Sequence, residues 1–305
     1  MAKSMYLGID FLVTPHLAPF VVEVNVGLPG GAQEYELTHQ VYFGKSSGIF
    51  EKIERTSRRV YGKSFQDYLN GLPFIESLKP FKIWMDGMGP FPSTFHPGLR
   101  LEDKWIQYQL IHSIMAMPET MIFDPLHLRE AERFLEQKGA IVLKRRLGRG
   151  GRGLQRITDP QTLLSMKSRD CLLQEYIDST VDGFNFSIRS VAFGGRFMCM
   201  YANLSTRSAS NHGTLVSVTP GKSLSLAEKD FRTESFDQRS WEAKIWFGEN
   251  DPPYLRHNLY EDVVAQTTLH LPGSALDAVR ETSIRIERAY EALDLLSLPK
   301  ACFEE

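Results

Sequence analysis

Glu23 and Asn25 stand two residues apart in an alternating stretch, residues 20–26. Alternate side chains of an extended strand share a face. Phe20, Val22, Val24 and Val26 are therefore expected on one face, and Val21, Glu23 and Asn25 on the other. Asp10 lies in the preceding apolar run, residues 6–13, and the turn at residues 14–19 carries two prolines, so the two runs read as a β-hairpin. Two carboxylates and an amide oxygen are hard ligands, suited to a Mg²⁺ ion that stays partly hydrated and bridges phosphates. An acidic pair alone on a hairpin is more often a solvated face, so the set gains meaning only beside something that binds phosphate.

A glycine-rich loop offers that. A short apolar run ending in Lys144 leads into Gly148, Gly150, Gly151 and Gly153, with Arg149 and Arg152 between them. Glycines admit positive φ and present no Cβ, so backbone N–H groups can close on a phosphate. The spacing is neither a Walker A loop, which ends in Gly-Lys-Ser/Thr, nor a dinucleotide fingerprint, which opens a helix. Beyond it, Gln174-Glu175-Tyr176-Ile177 reads as a strand leaving its sheet, with Asp182 shortly after. Such an exit can offer backbone groups to a flat base edge, and a carboxylate beyond it can accept from ribose hydroxyls. Arg189 and Arg207 follow, two permanent cations able to clamp phosphate or carboxylate.

The elements that must position these residues are legible unevenly. A helix is expected over residues 48–61, with Ile49, Phe50, Ile53 and Val60 on its apolar side. Residues 36–98 are otherwise less regular, and after that helix Pro73, Pro80, Pro90, Pro92 and Pro97 punctuate a loop-rich stretch. Helices are expected over residues 101–113 and 127–138, and strands at 140–144 and 172–177. Residues 186–193 and 196–204 form a hairpin around Gly194-Gly195, a strong turn pair. Residues 219–273 carry no clear pattern, and residues 274–293 form the plainest helix, with Ser274 as its expected N-cap.

The chain has 305 residues, 42% of them hydrophobic, enough for a substantial core. Lysine plus arginine number 35 against 37 acidic residues, so no basic excess points to nucleic acid. Three scattered cysteines form no CxxC pair and support neither a disulfide framework nor a cysteine zinc site. No apolar run approaches the roughly 20 residues that span a bilayer, and residues 1–10 do not read as a signal peptide. A cytoplasmic protein with no membrane partner is expected.

Taken together, these motifs resemble the ATP-grasp superfamily of carboxylate–amine ligases. The resemblance runs through Asp103-Lys104, Pro118-Glu119-Thr120, the Lys144 strand with its glycine loop, Gln174 to Ile177, Arg189, and Arg207 with Asn211-His212-Gly213. The family closes with a helix, a Gly-x-Asp-Phe strand and a Glu-x-Asn strand followed by Pro-Gly. Here Gly8-Ile9-Asp10-Phe11, Glu23-Val24-Asn25 and Pro29-Gly30 stand near residue 1, and the helix stands at residues 274–293. The order is thus circularly permuted. Where some members carry an arginine two residues before the metal-binding aspartate, this chain has Gly8.

The resemblance implies an α+β fold, two subdomains whose antiparallel sheets clasp ATP. Residues 1–35 would be the permuted metal-binding hairpin, 36–100 a reduced preceding segment, 101–178 the lid subdomain, and 179–305 the rest of the second subdomain. It implies ATP and Mg²⁺ (or Mn²⁺) as cofactors, with Asp10, Glu23 and Asn25 on the metal. Lys104, Lys144 and the backbone of Gly148, Gly150, Gly151 and Gly153 would hold phosphates. Glu175, Tyr176 and Ile177 would take adenine, Asp182 the ribose, and Arg189 and Arg207 an acyl phosphate. The implied reaction activates a small-molecule or peptide carboxylate for attack by an amine, releasing ADP and phosphate. A small-molecule kinase on the same fold and a non-catalytic ATP-binding module are the competing implications. A homodimer is compatible with all three.

Overall fold

A computed structural model describes residues 5–27, 29–85, 89–93, 95–148, 153–166, 170–205, 213–222, 224–226, 232–236 and 262–304. The fold is mixed α+β, built on two sheets. The larger follows the order β11–β13–β10–β9–β8–β1–β2, with β12 also on β13 and β7 on β8. Its strands are β1 (Leu7–Val13), β2 (Pro19–Val26), β7 (Thr180–Val181), β8 (Phe184–Phe193), β9 (Arg196–Ser205), β10 (Thr214–Pro220), β11 (Ser225–Leu226), β12 (Thr233–Phe236) and β13 (Asp262–Leu271). Every pairing in it is antiparallel except β10 with β13. The smaller sheet runs β3–β6–β4–β5, all antiparallel, from β3 (Thr120–Ile122), β4 (Ile141–Arg145), β5 (Gln155–Ile157) and β6 (Cys171–Glu175).

The helices sort onto these sheets. α8 (Gly273–Glu291) lies across β8, β9, β1 and β2 and sinks Leu276, Val279, Ile286 and Tyr290 into the main core with Ile9 and Phe11. Ser283 meets Ser190 of β8 through a 2.6 Å hydroxyl hydrogen bond. The opposite face carries Asp10, Arg189 and Tyr201, which face one another across β1, β8 and β9. α1 (Ala32–Phe43) covers part of that face, packing Leu37 on Tyr201, Leu215 and Val264. α6 (Leu128–Lys138) and α7 (Pro160–Leu164) close a second, separate core on the small sheet, around Phe134, Leu135, Ile141, Leu163 and Leu173.

Residues 36–85 hold more helix than expected. Beside α1 they hold α2 (Ile49–Tyr61), α3 (Phe65–Asn70) and α4 (Ile75–Met85). Pro80 sits inside α4, past its first turn, where it removes the hydrogen bond to the Glu76 carbonyl and crowds that carbonyl, yet the helix continues through it. α1 has no apolar stripe, because its buried side mixes Ala32, Glu36, Leu37 and Thr38. In α2, Ile49 and Ile53 are buried as expected, but Val60 is exposed.

Three boundaries also differ. The expected helix at 101–113 is a 3-10 turn, Pro97–Glu102, followed by α5 (Lys104–Ile111), because Asp103 caps α5 with its side chain. Ser274 lies within the first turn of α8, whose N-cap is Pro272. The β1–β2 register shifts between Asp10 and Phe11, so Asp10 faces Glu23 while Phe11 faces Val21. This bulge reverses the alternation midway: Val21, Val24 and Val26 are buried, while Val22 is not. Gly194 and Gly195 do form the β8–β9 turn, both at positive φ, 61° and 71°. Among the described residues, no helix is long and apolar enough to cross a membrane.

Candidate active site

Lys104 is placed by the residue before it. Asp103 is fully buried, and its carboxylate accepts from the Trp105 amide (2.9 Å), which starts α5. Arg146, just past β4, grips the same carboxylate through Nε (3.1 and 3.2 Å) and Nη2 (2.8 Å). The Lys104 amide donates to the Arg146 carbonyl at 3.1 Å. The start of α5 is therefore tied to the end of β4, two residues beyond Lys144. The Lys104 ammonium donates to the Gly148 carbonyl at 2.6 Å and lies 3.4 Å from the Glu23 carboxylate.

The hairpin is fastened to the same place. β2 is an edge strand, and Gln107 of α5 satisfies its free backbone. Gln107 Oε1 accepts from the Val24 amide (3.0 Å), and Nε2 donates to the Val24 carbonyl (2.8 Å) and the Leu101 carbonyl (2.8 Å). The Val21 amide donates to the Ala116 carbonyl at 3.0 Å. This pairing holds Glu23 against Lys104. Asp10 faces Glu23 across the hairpin and Arg189 across β8. Arg189 holds both Asp10 oxygens, through Nε and through Nη2 (2.7 Å), and donates from Nη1 to the Gly30 carbonyl (3.2 Å). Asn25 Nδ2 donates to Asp10 Oδ2 at 3.4 Å. Gly8 has no room for a side chain. A Cβ there would lie 2.6 Å from Pro29 Cβ and 3.2 Å from the Gly30 carbonyl oxygen.

Asp10, Glu23, Lys104, Lys144 and Arg189 thus form one charged cluster between the two sheets. Burial pushes the Lys144 amine down to about 8, and Lys104 pushes the same way against the pull of Glu23 and Asp10. Burial alone would raise Glu23, but Lys104, Lys144 and Arg189 outweigh it and hold the carboxyl below its ordinary value. Burial raises Asp10 against the pull of Arg189, with Glu23 adding like-charge repulsion. Glu34, at the first turn of α1, is also raised by burial, near Arg189 and Asp10, and receives the Gly31 amide.

No protein-family model matches this chain, and no curated protein matches it.

The remaining expected residues divide three ways. Gly150 and Gly151, with Arg149 and Arg152, lie outside the described residues, as do Arg207, Asn211 and His212. Gly153 stands at positive φ, 76°, at the end of that loop. At the exit of β6, the Glu175 amide donates to the Glu119 carbonyl (2.8 Å) and the Tyr176 amide to the Ala140 carbonyl (3.1 Å). Neither is free for a base, whereas the Ile177 amide has no partner among the described residues. The Glu175 carboxylate pairs with Lys138 at 3.5 Å, and Arg156 of β5 lies over the Tyr176 ring at 4.2 Å. Asp182 lies between β7 and β8. It occupies an exposed turn at φ 48°, and its carboxylate accepts from the Leu226 amide at 3.4 Å.

Among the described residues, no three His, Cys, Asp or Glu side chains group to hold a metal. The set Asp10, Glu23 and Asn25 is instead two carboxylates and an amide, an all-oxygen donor set of the kind Mg²⁺ takes. Both Asp10 oxygens accept from Arg189 and Oδ2 accepts from Asn25 as well, yet Oδ1 keeps a second lone pair. The residues therefore fit a hard divalent ion if Glu23 turns from Lys104 toward it.

Gln107, Asp103, Arg146 and Glu34 are missing from the expected site residues. Signals for two of them exist in the sequence: Asp103 is an N-cap type before a helix, and Gln107 is an amide at a buried phase of one.

Proposed function

We propose that the protein is an ATP-dependent ligase of the ATP-grasp type, in circularly permuted order, that activates a carboxylate for attack by an amine. The observation that carries this reading is the meeting of Lys104 and Lys144 with Asp10 and Glu23, residues distant in sequence that share one cluster between two sheets. Phosphoryl transfer needs positioning and charge neutralisation more than a protein nucleophile. Lys104 and Lys144 supply positive charge for phosphate oxygens. Arg189, committed to Asp10, orients that carboxylate rather than standing free to meet an acyl phosphate. A bound Mg²⁺ would supply electrophilic stabilisation of the transferred group, held by Asp10, Glu23 and Asn25. The cyclic order of motifs supports the permutation, with α8 lying against β1 and β2 as the family's last helix would.

The test is ADP and phosphate release across a panel of carboxylic acids and amines. A ligase releases phosphate only with both co-substrates present. Glu23→Ala should lower turnover by at least about a hundredfold if it holds the metal; unchanged turnover in that variant would overturn the assignment.

A further inference from the structure

The geometry points to the segment after α8, Cys302–Glu304, as a brace that fixes Lys104 in its phosphate-facing position; this rests on the reading of Lys104 given above. Cys302 donates its amide to Asp103 Oδ2 at 3.0 Å. That carboxylate is the N-cap of α5, so one buried group takes hydrogen bonds from the segment after α8, from the first turn of α5 and from Arg146 beyond β4. The segment is anchored twice more. Arg100, in the 3-10 turn before Asp103, pairs with both Glu304 oxygens at 2.7 Å and donates to the Leu298 carbonyl at 2.7 Å. Phe303 packs on Phe81 and Phe95, with ring centroids 5.0 and 5.3 Å away.

α5 has eight residues, too short to hold its own geometry in water. Its first turn depends on what Asp103 touches, and Lys104 belongs to that turn. A shift of about 1 Å in a substrate-positioning group can cost on the order of a hundredfold in rate. Cys302, Phe303 and Glu304 are thus positioning residues that act through Asp103 and Arg100.

Cys302→Pro deletes the amide donor at the start of a 3-10 turn, where proline is tolerated. Cys302→Ser retains the amide. ATP dissociation constants would be measured by calorimetry, and amide hydrogen exchange would be followed at residues 104–107 and in β8 and β9. The proline variant should bind ATP about tenfold or more weakly, the equivalent of one hydrogen bond to a charged group. Exchange at residues 104–107 should quicken while β8 and β9 stay unchanged, and the serine variant should match the parent. Glu304→Ala, which releases Arg100 without introducing proline, should move the same amides. Equal losses in the proline and serine variants, unchanged exchange at 104–107, or acceleration throughout the protein would each overturn the brace. If the parent chain itself binds no ATP, the ligase reading fails separately, and the exchange measurements still decide the brace.

Discussion

Lys144 is the residue whose chemistry the fold alters most usefully. Burial brings its amine down to about 8, with Lys104 adding to the effect. A phosphate beside it would favour the charged form and restore the proton. Nucleotide binding should therefore take up a proton above about pH 8, and affinity should fall by up to ~tenfold per pH unit from there. Lys144→Arg, which stays charged across that range, should flatten the profile. Titration calorimetry between pH 6.5 and 9.5 checks this; parallel profiles in parent and variant would remove Lys144 from the phosphate site. The sign for folding is opposite. The folded-state value lies below the ordinary 10.5, so between those two values the unfolded chain binds the extra proton. Lys144 therefore penalises the free protein below about pH 8, and the penalty fades as pH rises toward 10.5.

At the scale of elements, the join between β2 and α5 is what brings metal ligands to phosphate ligands. Gln107→Leu would leave the Val24 amide and carbonyl without their partners. Each orphaned buried group costs roughly 1–3 kcal/mol, so the urea midpoint should drop and nucleotide affinity should drop with it. A variant as stable as the parent would show that water replaces Gln107 at this edge. The hairpin, α2, α6, the β8–β9 turn and α8 were legible because period-2 or period-3.6 patterns and paired glycines are local signals. The Gln107 clamp was not, because it pairs residues far apart in sequence. The bulge at Asp10 escaped for a related reason: an extra residue changes the phase of alternation without changing composition. α4 was hidden by Pro80, read as a breaker although the helix continues through it. α1 was hidden by its buried polar Glu36 and Thr38, which the fold satisfies through partners such as Ser47. Asp10, Glu23 and Lys144 were legible as types and spacing and Lys104 through the resemblance, while their convergence came from tertiary contacts.

Over the whole molecule, two cores of unequal size govern which part moves. The large sheet shares one extensive core with α2, α3, α4, α5 and α8, whereas the small sheet, α6 and α7 close a separate cluster of fewer residues. Cooperative units with fewer buried contacts open at lower free energy than the global transition. Polar contacts join the end of β4 to α5: Arg146 with Asp103, the Lys104 ammonium with the Gly148 carbonyl, and the Lys104 amide with the Arg146 carbonyl. Without nucleotide, amides of β4 and β6 should therefore exchange through a sub-global opening several kcal/mol below that of β8 and β9. A ligand spanning both units stabilises by mass action, about 2.7 kcal/mol at a hundred times its dissociation constant. The small-sheet opening and global unfolding both release such a ligand, so ATP with Mg²⁺ should slow β4 and β6 by as large a factor as β8 and β9. Native-state hydrogen exchange with and without ATP measures the difference. If β4 and β6 exchange no faster than β8 and β9 without ATP, the two units open as one; if ATP protects only the large sheet, the nucleotide does not bridge the sheets and the clasp is wrong.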